Sequence, residues 1–223
     1  MDAELFRGSL VDQVYRAVRS AVCEGQLAPG TRIRQDELAA RFGVSRQPVI
    51  QALALLKSEG FLEPAGRKGL KVAHLDPEHL NNLYAVRRAL EIMAVREAAA
   101  NAGAALEREA RAAIADARRA IAAHDTTGMI DADLRFHRAF WNAANNPVIA
   151  ETIEMHWGHL RWAMGNVLEM PAYPEQVLME HDSILAAVRG GEADRAAALM
   201  DAHLRTAAER LHAELTAESK PAA

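Results

Sequence analysis

Four polar residues in the second half of the chain fall where apolar residues belong, and their types suit one kind of chemistry. Asp133 and His137 are four apart on a helix predicted over Ile130–Ala144, so they lie one turn apart and can point at the same atom. That helix turns the stripe Ile130, Leu134, His137, Phe140, Trp141 and Ala144 inward. His181 belongs to a second stripe with Val177, Ile184, Leu185 and Val188, and His203 to a third with Ala196, Met200, Leu204, Ala207 and Leu211. Buried imidazoles and carboxylates must be hydrogen-bonded, paired or bound to metal. The last two of these helices are joined at Gly190-Gly191 and should form an antiparallel hairpin. His181 lies 9 residues before Gly190 and His203 lies 12 after Gly191. At ~1.5 Å rise per residue they stand roughly 14 and 18 Å from the turn, nearly level with each other. One Asp and three His suit a borderline divalent ion, zinc first, with nickel, cobalt and manganese as alternatives. Taken singly, an inward histidine is more often a hydrogen-bonded core residue than a ligand, and Asp133 could simply pair with His137. Four converging groups favour the metal.

Arg87 adds a second chemistry. It falls on the stripe Leu83, Leu90 and Ala94 of an otherwise apolar helix. A buried guanidinium beside a metal can receive a small carboxylate through two parallel hydrogen bonds. An internal Arg87–Glu91 pair at i, i+4 explains the same residue equally well. His156, Trp157, Arg161 and Trp162 are further candidates to line the cavity, with their direction left open.

These side chains need a helical scaffold, and the sequence supplies one. Asp76 is a good N-cap and Pro77 suits a first helical position, so a new domain begins near residue 76. From there to about residue 216 only helical periodicity is visible. Breaks near Asn101–Gly103, His124–Gly128, Asn145–Pro147, Met170–Pro174 and Gly190–Gly191 imply about six helices packed as an all-α bundle. Residues 217–223 are expected to be a frayed tail.

Residues 1–75 read differently. Helices are expected over Leu10–Glu24 and Gln35–Phe42, the second ending at Gly43, with a third capped by Ser45 and ending near Gly60. Extended runs at Phe61–Glu63 and Leu70–Ala73 flank the turn Pro64-Ala65-Gly66-Arg67-Lys68-Gly69. The fold class is thus mainly α, a winged helix-turn-helix of three helices and a small β-hairpin ahead of the bundle. In that geometry the start of the third helix enters the major groove of DNA, which makes Ser45, Arg46 and Gln47 candidates for base and phosphate contact. Arg67 and Lys68 lie at the wing tip, and Arg34 and Gln51 complete the DNA-binding set. The overall charge of −4 conceals a division that agrees with this. Residues 1–73 hold 11 Lys/Arg against 8 Asp/Glu, and residues 74–223 hold 15 against 22. Only the first part has the sign that phosphate attracts.

The stretch Gly25–Val72, with GQLAPGTRI, ELAARFGVSRQPV, QALALLKSEGFL and RKGLKV, resembles the DNA-binding domain of the GntR family of bacterial regulators. Where that family usually has Arg-Glu, this chain has Ile50-Gln51, so a frequent arginine contact is replaced by a side chain that could meet a thymine methyl. Across roughly 78–215, the pattern D-x3-H, then Glu-His, then Met-x2-His-Leu resembles the FCD sensor domain of one GntR subgroup. The resemblance implies that Asp133, His137, His181 and His203 bind a metal and that Arg87 lies near the sensor cavity. It also implies a homodimer on a double-stranded, palindromic operator.

The function expected is a transcriptional regulator, a repressor, modulated by a small organic acid bound near the metal. An all-helical metal-dependent hydrolase is the competing class, since one Asp and three His could activate water. A metal-free effector pocket is a third reading. No run approaches the ~20 apolar residues of a membrane helix. MDAELFRGSL lacks the apolar core of a secretory signal, and Cys23 is a lone thiol, so a cytoplasmic, non-membrane protein is expected.

Overall fold

A computed structural model describes residues 9–66, 69–101, 103–167 and 172–218. They divide between Leu75 and Asp76 into two compact units. Among the described residues no helix is long and apolar enough to cross a membrane.

The first unit contains α1 (Leu10–Cys23), β1 (Arg32–Ile33), α2 (Gln35–Phe42), α3 (Arg46–Ser58), β2 (Leu62–Ala65) and β3 (Gly69–Val72). Helix α1 starts from a capping box in which Ser9 and Asp12 satisfy each other's backbone N–H groups. Its Val14, Val18 and Val22 are buried and pack with Val49, Ala52, Leu53 and Leu56 of α3. Burying each of these larger side chains stabilises the unit by about 1.5–3 kcal/mol. The Tyr15 hydroxyl adds a tie across the same pair by donating to Glu59 at 2.6 Å. Helix α2 ends at Gly43 with φ +63°, the left-handed conformation in which a Cβ is penalised, and the chain there turns into α3.

Three expectations change in this unit. The wing is part of a three-stranded antiparallel sheet in the order β1-β3-β2, with Arg32 opposite Lys71 and Leu62 opposite Val72. Strand β1 escaped the sequence reading because two residues are too short to show alternation. The paired strands also differ from the expected ones: the first runs over Leu62–Ala65, starting one residue later and ending two later, and the second over Gly69–Val72, one residue earlier. Ser45 stands at the N-cap of α3 but its side chain makes no capping hydrogen bond.

The second unit is all helical among the described residues: α4 (Pro77–Ala100), α5 (Ala104–Ala122), α6 (Thr126–Ala143), α7 (Pro147–Val167), α8 (Tyr173–Arg189) and α9 (Ala193–Glu218). Asp76 caps α4 by accepting from the Glu78 N–H, and Pro77 opens it. Asp125 likewise caps α6, which therefore begins four residues before the expected Ile130. Helix α9 runs to Glu218, beyond the expected frayed start at residue 217, with Leu215 still buried near its end. The main packings are α4 on α9 and α5 on α6, with α8 against α9. On α6 the inward face carries Phe136, fully buried, while Leu134 is half-buried, so the stripe is rotated slightly from the expected one. Every apolar residue expected on the α8 and α9 stripes is buried.

Candidate metal centre and nucleic-acid interface

Helices α6, α8 and α9 each deliver polar groups into the core of the second unit. Asp133, His137, His181 and His203 are all buried, and each offers a ligand atom within 4.8 Å of the others. The hairpin made by α8 and α9 brings His181 and His203 level, their ring centroids 4.9 Å apart. Asp133 Oδ1 lies 3.7 Å from His137 Nε2 and 3.5 Å from His181 Nε2. Phe136 stacks flat on His181 at 3.8 Å and holds that ring in place.

Carboxylates behind two of the rings decide which nitrogen faces the centre. Glu91 on α4 accepts from His137 Nδ1 at 2.5 Å, and Glu180 on α8 accepts from His203 Nδ1 at 2.7 Å. Glu180 is itself held by Gln176, whose Nε2 donates to it at 2.7 Å, and Gln176 accepts from Arg210 at 2.7 Å. With Nδ1 spent on a carboxylate, Nε2 of each ring carries the lone pair, the tautomer a metal requires.

The electrostatics agree. Burial alone would raise the Glu91 carboxyl, but His137 and then Arg87 hold it down at about 2. Burial would also raise Asp133, and His137, His181 and Arg87 outweigh it, so this carboxyl too stays ionised. Burial and the neighbouring His203 push His181 well below an ordinary histidine, so it is neutral and able to coordinate. For His137 burial is outweighed by Glu91 in particular, which raises it. Metal binding at Nε2 would compete with any proton there.

The donor set fits a divalent ion. His137 Nε2, His181 Nε2 and Asp133 Oδ2 are buried without a hydrogen-bond partner among the described residues. Such orphaned groups carry a desolvation penalty unless something positive meets them. A small apolar cavity lined by Ala117, Ile121, Met129, Val177 and Leu178 reaches Asp133 and His181.

Arg87 forms the internal pair expected with Glu91. Its Nε donates to Glu91 at 2.6 Å, the internal pair, while its Nη2 is buried without a hydrogen bond, 4.0 Å from Asp133 Oδ2. The guanidinium also faces the Trp157 ring, 5.2 Å from its centroid. Of the other cavity candidates, Trp157 and Trp162 are buried and His156 is half-buried, while Arg161 is taken up by Asp131. The sequence reading missed Glu91 as a partner of His137 and did not place Glu180. Glu91 carried a signal, being four residues after Arg87 on the buried face; Glu180 sits beside His181 in sequence but serves His203 on another helix.

In the first unit, Arg46, Gln47 and Gln51 are exposed on α3. Arg46 is tied to Asp36 of α2 at 2.5 Å, and Arg34 to Glu37 at 2.7 Å. Ser45 is exposed. Arg67 and Lys68 lie outside the described residues.

Comparison with known proteins agrees with both units. Residues 10–72 fit the family model of bacterial regulatory proteins of the gntR family, and residues 82–206 fit that of the FCD domain. The chain is 26% identical over 201 residues to the HTH-type transcriptional repressor RspR of Escherichia coli (strain K12), covering 88% of this chain and 86% of that one. It is 28% identical over 193 residues to an uncharacterized HTH-type transcriptional regulator in an unstable DNA locus of Streptomyces ambofaciens, covering 86% and 80%. The solved structure of E. coli McbR/YncC shares the fold, with a TM-score of 0.77 at 24% identity over 92% of this chain and 98% of that one. The FCD match alone spans more than half of the sequence. The chain therefore belongs to the GntR family of bacterial transcription regulators, with an FCD domain as its second part.

Proposed function

We propose that this regulator binds a palindromic operator as a homodimer and represses from it, modulated by a small carboxylate metabolite held beside a divalent metal ion. The observation that carries the sensing half is the buried set Asp133, His137, His181 and His203, with ligand atoms within 4.8 Å of one another and two histidines backed by carboxylates. Three nitrogens and one oxygen favour zinc, with nickel, cobalt and manganese as alternatives. When bound, the ion supplies a fixed positive charge at which an anionic group of a metabolite can be anchored. Arg87 offers such a ligand the Nη2 that its pair with Glu91 leaves over.

The DNA-binding half rests on Ser45, Arg46, Gln47 and Gln51 at the start of α3, together with Arg34, Arg67 and Lys68 from the sequence. Two copies on a two-fold site double the few phosphate and base contacts one head can make. RspR, named as a repressor, supports the sign of regulation. Its name and those of the other relatives speak for regulation rather than hydrolysis, and work on DNA in the cytoplasm goes with that reading.

A thermal-shift screen of small organic acids, with and without chelator, tests the sensing half. A hit that disappears with chelator supports an effector bound at the ion. Protein purified without chelator and found free of metal would overturn the metal centre. The operator half is tested by titrating the full chain on duplex DNA at fixed salt.

A further inference from the structure

Helix α3 presents an unusual residue on the face that the DNA-binding reading turns towards base edges. Val49, Ala52, Leu53 and Leu56 are at most 1% exposed and form its buried side. Opposite them the first two turns expose Arg46, Gln47, Ile50 and Gln51. Ile50 is 43% exposed, an apolar β-branched side chain one turn beyond Arg46 and between two glutamines in sequence. It is not part of the core of the unit, so packing within the unit gives no reason for it. Its neighbours have readily assigned partners: exposed glutamine amides match the adenine edge and arginine matches phosphate or guanine. In the major groove the one apolar group on a base edge is the C5 methyl of thymine.

We propose that Ile50 is a specificity-determining residue that packs on the C5 methyl of a thymine in each half-site, with Gln47 and Gln51 selecting adenine beside it. The inference rests on the DNA-binding reading and adds to it a residue and a base. An apolar side chain there gains by excluding water from the methyl and leaves the polar edges of G·C pairs unsatisfied. The preferred half-site is consequently A·T-rich at the position Ile50 faces.

The test uses the full chain and duplexes it selects from a randomised double-stranded library. Each thymine of the selected half-site is replaced in turn by deoxyuridine, which removes only the methyl. One position should weaken binding by about four-fold per half-site, the value of burying roughly one methyl-sized group. Ile50→Ala should lose a similar factor on the thymine duplex and become indifferent to uracil there, while Ile50→Arg should move the preference at that position towards guanine. Wild-type protein insensitive to uracil at every thymine, or Ile50→Ala as sensitive as wild type, would overturn the inference and leave DNA binding standing. Failure to select any duplex would overturn the DNA-binding reading and the inference together. The exposure of Ile50 keeps both variants foldable, and unchanged melting temperatures check that.

Discussion

His137 is gripped by Glu91 at 2.5 Å through Nδ1 and turns its other nitrogen towards Asp133, 3.7 Å away. One ring thereby links a carboxylate on α4 to the centre on α6, and Arg87, 2.6 Å from Glu91, closes the chain of charges on α4. The carboxylate does two things at once: it sets the tautomer and it makes the imidazole a better donor to a cation.

Removing the carboxylates behind the rings should therefore weaken the metal without removing a ligand. Glu180→Gln is expected to lower metal affinity by about 10–100-fold, read by competition with a chromophoric chelator. Glu91→Gln should do the same but also destabilise the fold, because it leaves the Arg87 guanidinium buried without its ion pair. Unchanged affinity in Glu180→Gln would argue against a histidine-held ion.

Loss of a ligand should be more severe. His181→Ala and His203→Ala are expected to reduce the metal found per chain, measured by elemental analysis after purification without chelator. If the centre holds an ion, chelator should lower the melting temperature of the wild-type protein. An ion at 100 times its dissociation constant stabilises by about 2.7 kcal/mol, roughly 5–10 °C for a protein of this size. The His181→Ala protein should no longer respond to chelator; an equal response in both proteins contradicts the assignment.

The ionised carboxyl at Glu91 makes an acid limb of stability. Its folded value, about 2, lies below the ordinary 4.5, so the folded state holds fewer protons than the unfolded one between these values. The stabilisation is fully present above about pH 4.5 and is lost as pH falls towards 2. It is worth on the order of 3 kcal/mol in chelator-treated protein. Urea unfolding at a series of pH values should show this loss, and Glu91→Gln should flatten it. A wild-type profile that stays level through the window would contradict the buried ion pair.

On the DNA side, Arg46→Ala should weaken operator binding by on the order of 1–3 kcal/mol if it reads a base. If it holds a phosphate, the dependence on salt should instead fall by about one counterion. Its side chain is 68% exposed and, among the described residues, pairs with the equally exposed Asp36, so the melting temperature should hardly move. A titration unchanged at every salt concentration would remove Arg46 from the interface.

The sequence by itself determined what is local and periodic. A 3.6-residue repeat tells which face of a helix turns inward, so Asp133, His137, His181 and His203 were legible as inward residues before any neighbour was known. Caps and breakers likewise marked the helices, with Asp76-Pro77 opening the second unit and Gly43 closing α2. Tertiary structure decided which inward faces meet. Glu91 and His137 are 46 residues apart, and Glu180 reaches His203 across the hairpin rather than its neighbour His181. Strand β1 exists only through β3, because two residues have no pattern of their own. Periodicity fixes a direction from a helix axis, whereas a partner depends on how axes cross. Only the packed chain fixes that, and with it the carboxylates that hold the histidines ready.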